Sequence, residues 1–154
     1  MGFTTDPGAK IGAIAAALAE ALGGIDDARV LTYDPGIEGI HDDLVIGVGD
    51  VVVEQTEIDG AGRQLGRRDW VMRWTVRVYV FLDDPATAWQ KARSALGQAL
   101  NSLDADHTLG GEAREVTVTG FTLEPTQPEE ASRRLLIGEM DVAVLTLMPD
   151  PHFN

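Results

Sequence analysis

The chain contains no cysteine, which excludes a disulfide framework and any thiolate-ligated metal. Histidine is almost as scarce. His41, His107 and His152 are the only copies, and all fall in expected loops. No Gly-x-Ser-x-Gly elbow is present, so the nucleophile, base and orienting carboxylate of an acyl-transfer triad have no visible source. No apolar run reaches the about 18 residues that span a bilayer, and no membrane association is expected. The start, with Asp6 and a single lysine before alanine-rich sequence, lacks the basic opening of a secretory leader. Basic residues are few: 12 Lys+Arg stand against 25 Asp+Glu, a formal net charge of −13. Proteins that grip DNA neutralise its phosphates with a basic surface, and this composition repels them. Solubility is the simplest reason for the acidity; a wall past which duplex DNA slides without sticking is the sharper one.

Other shortages narrow the chemistry further. His41 with Asp42 and Asp43 imitates a metal-binding group, but adjacent residues rarely converge on one ion, and a solvated acidic loop is expected. The glycines do not make a phosphate loop. GAKIGAIAAALAE has no strand before it, and IGVGD lacks both a third glycine and a following helix. No catalytic residue, metal or cofactor is assigned.

What is present is organised around residues 70–103. Trp70, Met72, Trp74, Val76, Val78, Val80 and Leu82 alternate with Val71, Arg73, Thr75, Arg77, Tyr79 and Phe81, so the first set forms a core face and the second a more polar one. Such a strand spans roughly 43 Å and is expected to project past its own domain. Asp84-Pro85 then supplies a cap and a first-turn proline. Trp89, Ala92, Leu96, Ala99, Leu100 and Leu103 follow as one apolar helical stripe.

Upstream, residues 8–22 read as a helix with Ile11, Ile14, Ala15, Leu18, Ala21 and Leu22 on one face, ended by Gly23-Gly24. Residues 28–33 form a short strand, and Asp34-Pro35-Gly36 a turn. Residues 44–53 form a strand with a bulge or break at Gly47, Gly49 and Asp50. Residues 54–69, polar and with three glycines, read as a long hairpin arm with its tip near residues 59–62. Downstream, the chain turns on Gly110-Gly111, residues 115–123 form a strand, residues 124–134 a polar loop, and residues 135–148 a last strand with Gly138 as a bulge position. The fold class is α+β: one domain over residues 1–154, with a mainly antiparallel sheet of about five strands, two helices packed on one side, and a long projecting β-hairpin. A chain of 154 residues buries about 70% of its unfolded surface, enough for one core.

Two features invite a function. Trp70, Trp74 and Trp89 could form a ligand-stacking wall, although their spacing places them on facing core surfaces, where shared packing is the simpler outcome. Five of the 12 basic residues, Arg63, Arg67, Arg68, Arg73 and Arg77, fall within fifteen positions with only Asp69 opposing them there. The simpler outcome is a solvated hairpin. The functional one is an arm that docks on an acidic neighbour, with Arg63, Arg67, Arg68, Ile58 and Leu65 as the interface residues.

The order of these parts resembles the tail terminator proteins of long-tailed bacteriophages: an alanine-rich helix, a strand ending at a proline turn, a long glycine-containing hairpin, RWTVRVYV with its DDPATAW helix, LDADHTLGGEAREVTVTG, and a closing GEMDVAVLTL strand. The most specific piece is similar to the family's Asp-x-Thr-Leu-Gly-Gly run, here Asp106, Thr108, Leu109, Gly110 and Gly111, followed by a Val/Thr strand. The resemblance covers roughly residues 8–148. It departs after Tyr33, where Pro35 stands alone, and in the Arg/Glu-rich loop before the last strand. It implies a virion protein, assembled in the host cytoplasm. Such a protein forms a ring, a hexamer in this family, on the head-proximal end of the tail tube. Its partners would be further copies of itself, the tail tube protein and a neck or head–tail connector protein, with DNA passing through the ring. A head–tail connector or other neck component, and a small ligand-binding α+β domain, are the alternatives.

Overall fold

A computed structural model describes residues 7–55, 67–126 and 134–149. Helix α1 spans Pro7–Leu22 and strand β1 Arg29–Leu31; β2 is Leu44–Gln55, β3 Arg67–Phe81, helix α2 Pro85–Ala105, β4 Glu115–Pro125 and β5 Leu135–Pro149. The strands form one sheet in the order β1-β2-β3-β5-β4. Every pairing is antiparallel except β1 with β2. Both helices cover the same face, so the architecture is α+β in two layers.

The alternation in β3 sets the core. Met72, Trp74, Val76, Val78 and Val80 are buried, joined by Leu44, Ile46 and Val48 of β2 and by Met140, Val142 and Val144 of β5. From above, α1 supplies Ile14, Leu18 and Leu22. The buried stripe of α2 is Ala88, Ala92, Ala95, Leu96, Ala99 and Leu103. It is rotated from the expected one: Trp89 is half-buried at the rim of the core, and Leu100 is half-buried. Four alanines in the stripe let the helix axis approach the sheet closely, and the larger side chains are displaced to its flanks. Asp84 sits at the N-cap of α2 in extended conformation, but its carboxylate accepts from the Thr87 hydroxyl (2.6 Å) and caps no backbone N–H.

Strand β3 is not left unpaired by its length. Strand β5 is equally long and pairs with it from Arg67↔Pro149 to Phe81↔Leu135 without a slip, so the full span of β3 has a partner. The expectation of projection rested on strands too long to be fully paired, and that premise does not hold, because a second strand matches the length of β3. On its other side β3 pairs with β2 as far as Gln55↔Trp70; the proposed arm tip lies outside the described residues.

Strand β2 carries the expected irregularity: Gly49 and Asp50 stand opposite Thr75 between the pairs Val48↔Val76 and Val51↔Trp74, the two-against-one count of a bulge. Gly138 is not a bulge. It pairs in register with Val78, and Leu96 lies over it, 3.4 Å from where a Cβ would stand. The irregularity in β4 falls at Thr119, between Val118 and Gly120. Strand β1 is shorter than residues 28–33 because Thr32 and Tyr33 leave the sheet to begin a crossover.

Candidate functional site

Parallel strands cannot be joined by a hairpin, so the chain between β1 and β2 must cross a face of the sheet. Residues 32–43 do this on the helix-free face, with a single 3-10 turn at Ile37–Gly39. Ile40, Val45, Tyr79 and Leu135 form a small second core beneath the crossover, flanked by Leu31, Ile37, Phe81 and Ile137. Gly47 makes the passage possible. A Cβ there would lie 2.8 Å from the Tyr33 carbonyl oxygen, closer than such atoms approach. That glycine therefore reports a close backbone crossing and not a weak strand.

At the middle of this crossover is the most concentrated polar group among the described residues. Gly36, at φ 76°, turns the chain so that its N–H donates to Asp34 Oδ1 at 2.9 Å. The same carboxylate accepts from the Tyr79 hydroxyl and from Arg77 Nη1. Arg77 also donates through Nε to Glu139 Oε2 at 2.9 Å, and its Nη2 lies 3.6 Å from Asp50 Oδ2. The Arg77 and Asp34 side chains are 24% and 19% exposed, so the cluster is mostly withdrawn from water. Burial alone would raise the Asp34 carboxyl; the hydrogen bonds from Tyr79, Gly36 and Arg77, with the guanidinium charge, outweigh it and hold the group below its ordinary value. The Arg77 guanidinium is held charged mainly by the Glu139 hydrogen bond, and then by Asp34. Burial, reinforced by the Asp34 carboxylate, pushes the Tyr79 phenol well up. Every perturbed group in the cluster is thus matched to another. The arrangement is a clamp that holds the crossover down.

The Asp106–Gly111 run is also structural. Asp106 Oδ1 accepts from Gly110 N at 3.0 Å, and the Thr108 carbonyl accepts from Gly111 N and Ala113 N at 3.0 and 2.9 Å. Gly110 and Gly111 have φ of 66° and 95°, values that glycine adopts without strain. The turn drops Leu109, 3% exposed, into the core and directs the chain into β4. Lys10 of α1 ties down its far side, donating to the Glu112 carbonyl at 2.7 Å and pairing with its carboxylate at 3.1 Å.

The basic cluster separates into two groups. Arg77 is committed to the clamp, and Arg73 faces Glu54 at 3.7 Å. Among the described side chains, Asp69 pairs with Arg114 at 2.9 Å. Of the five candidate interface residues, Ile58, Arg63 and Leu65 lie outside the described residues, and Arg67 and Arg68 contribute backbone to the first positions of β3 opposite Pro149 and Met148. The tryptophans make no wall: Trp74 is 4% exposed in the core, Trp70 and Trp89 pack against it, and the Trp70 and Trp74 indole N–H groups meet no acceptor among the described residues. Among the described residues no group of His, Asp and Glu is placed to hold a metal ion, and His41 and His107 are exposed. No described helix is long and apolar enough to cross a membrane. A scan of protein-family models and a search of curated proteins each returned no match to this chain.

Proposed function

We propose that this chain is a virion structural protein that acts as a tail terminator: a ring on the head-proximal end of the tail tube that stops tube growth, presents a joint to the neck, and lets DNA pass. The observation that carries this reading is the construction of the Asp106–Gly111 turn. These are the residues on which the resemblance is most specific, and each has a structural task in joining α2 to β4.

The helix-free face supports the DNA part of the reading. Among its described side chains, Arg73, Arg77 and Arg114 are each paired with carboxylates, while Asp50 remains 79% exposed and Asp141 is exposed as well. Such a surface releases no counterions on meeting a duplex and so gains nothing by binding it.

Native mass spectrometry with negative-stain imaging of the purified chain tests the proposal. A closed ring, which in this family has six copies, is expected. Added to growing tail tubes, it should cap one end and fix their length. A chain that stays monomeric at every concentration, or rings that attach at the head portal and never to tubes, would overturn it in favour of a binding domain or a connector.

A further inference from the structure

The sheet ends in two edges of different kinds. On one side is β4, with no strand beyond it over Glu115–Pro125 among the described residues. On the other side β1 covers β2 only at Val45, Ile46 and Gly47, so the part of β2 from Val51 to Glu54 also has no strand on its outer flank among the described residues. Unpaired N–H and C=O groups along an edge are a template for another chain unless the edge is blunted by charge, proline or cover. Glu54 on β2 and Glu115, Glu124 and Pro125 on β4 blunt these edges only in part, because two of the three most exposed large hydrophobic residues among the described residues, Val52 (56%) and Phe121 (53%), also sit on them.

We infer that β4 of one copy pairs with the distal part of β2 of the next, so that the sheet continues from subunit to subunit; this rests on the ring reading above. Three observations select a second copy as the occupant. First, strand direction: β2, β3, β5 and β4 alternate in direction, so placing β2 of another copy beside β4 continues the alternation without a break. Second, facing: Val51 and Val53 pack toward the helix layer on one edge, and Val116 and Val118 do so on the other. Phe121, opposite Met140 in register, is on that side too. Joining the edges with the helix layers aligned brings these apolar side chains together and covers Phe121. Third, room: a groove of about 620 Å³ lies between the C-terminal half of α2 and β4, floored by Leu100, Leu103, Val116 and Val118. It can receive side chains of an added strand while the main chain pairs with the edge. Because the two edges differ, the contact is head-to-tail and generates a ring where the rotation closes.

The absence of cysteine makes the test direct. Val53→Cys is combined in turn with Val116→Cys, Val118→Cys and Phe121→Cys, and assembled protein is oxidised and run on a denaturing gel. Within one copy these positions lie at opposite edges, separated by β3 and β5, roughly 14 Å apart at three interstrand spacings. Cross-links therefore arise only between copies. A covalent ladder reaching the ring size in at least one combination is expected. Amide hydrogen exchange in residues 51–54 and 115–125 should also slow at least tenfold relative to a Val52→Lys/Phe121→Lys variant, which should fold but stay monomeric. Rings that form without cross-links in any combination, and that leave both segments exchanging at the monomer rate, overturn the edge pairing while leaving the ring. Cross-linked dimers from Phe121→Cys alone overturn it in favour of twofold β4–β4 pairing. A parent chain that never assembles removes the ring reading and this inference together.

Discussion

Replacing Asp34 with alanine should loosen the crossover without touching the main core. Tyr79 is 2% exposed, and its hydroxyl donates to Asp34. Without that acceptor the hydroxyl is buried and unpaired, a penalty of about 1–3 kcal/mol. The Gly36 N–H also loses its partner, which adds about 0.5–1.5 kcal/mol. Arg77 keeps Glu139 and Asp50, and with part of the pair exposed to water the lost ion pair adds only about 0–1 kcal/mol. The expected loss is about 2–4 kcal/mol, a fall in Tm of roughly 5–15 °C for a chain of this size. Tyr79→Phe alone should cost about 1 kcal/mol, since Asp34 keeps Arg77 and Gly36. The double variant should then be less destabilised than the sum of the singles by about 1–2 kcal/mol, because the orphaned hydroxyl is gone. Urea unfolding of the four proteins, with unchanged m-values, measures this coupling. Additivity within about 0.5 kcal/mol would show that Asp34 does not hold Tyr79 and that the clamp is wrongly described.

Four other outcomes are expected. Leu96→Ala should cost about 2–5 kcal/mol in chemical denaturation, because Leu96 is buried and supplies the nearest atoms over Gly138, a space it shares only in part with Leu123. Gly47→Ala should cost about 1–3 kcal/mol by the same assay, since its Cβ would collide with the Tyr33 carbonyl and lift the crossover. Stability should depend on pH at both ends. Asp34 is held below its ordinary value when folded, so its contribution is present above about pH 4 and is lost as pH falls through the folded value. Tyr79 is held above its ordinary value, so its contribution is complete below about pH 10 and is lost as pH rises further. Thermal melts of Asp34→Asn and Tyr79→Phe should each flatten the corresponding limb. Reversing Arg63, Arg67 and Arg68 to glutamate should leave the circular dichroism spectrum unchanged and weaken rings in native mass spectrometry, with high salt acting in the same direction; intact rings would show that those arginines are only solvated.

Much of the fold is legible in the sequence because the relevant signals are local. The alternation from Trp70 onward, the Asp84-Pro85 helix start and the glycine pair at 110 and 111 each state their structure within a few residues. The clamp is not local. Arg77 and Tyr79 stand two apart on the polar side of β3, and Asp34 sits in a strong turn signal, but nothing in either stretch shows that the turn crosses that part of the sheet. The one available hint was Gly47, a glycine inside an apolar strand, which marks a backbone passing close by. The projecting strand misled for a related reason. Length is visible in one segment, whereas the equal length of its partner is a relation between two segments. The rotation of the buried stripe of α2 is not legible because alanines count little in a hydrophobic stripe yet decide how near a helix can come.

The long β3–β5 pair has a consequence for how the molecule forms. Its two strands are joined through α2 and β4, and its outermost rung links Arg67 to Pro149. The central ladder therefore closes only after β5 has left the ribosome. Until then β3 offers a bare flank and β4 has no neighbour on either side, since β5 is its partner. Pairings of such wide sequence separation place this domain among the slower folders, in the millisecond-to-second range. A chain stalled before β5 would expose apolar strands ready to join others like it. The same late strand that completes the core thus serves as a checkpoint on synthesis.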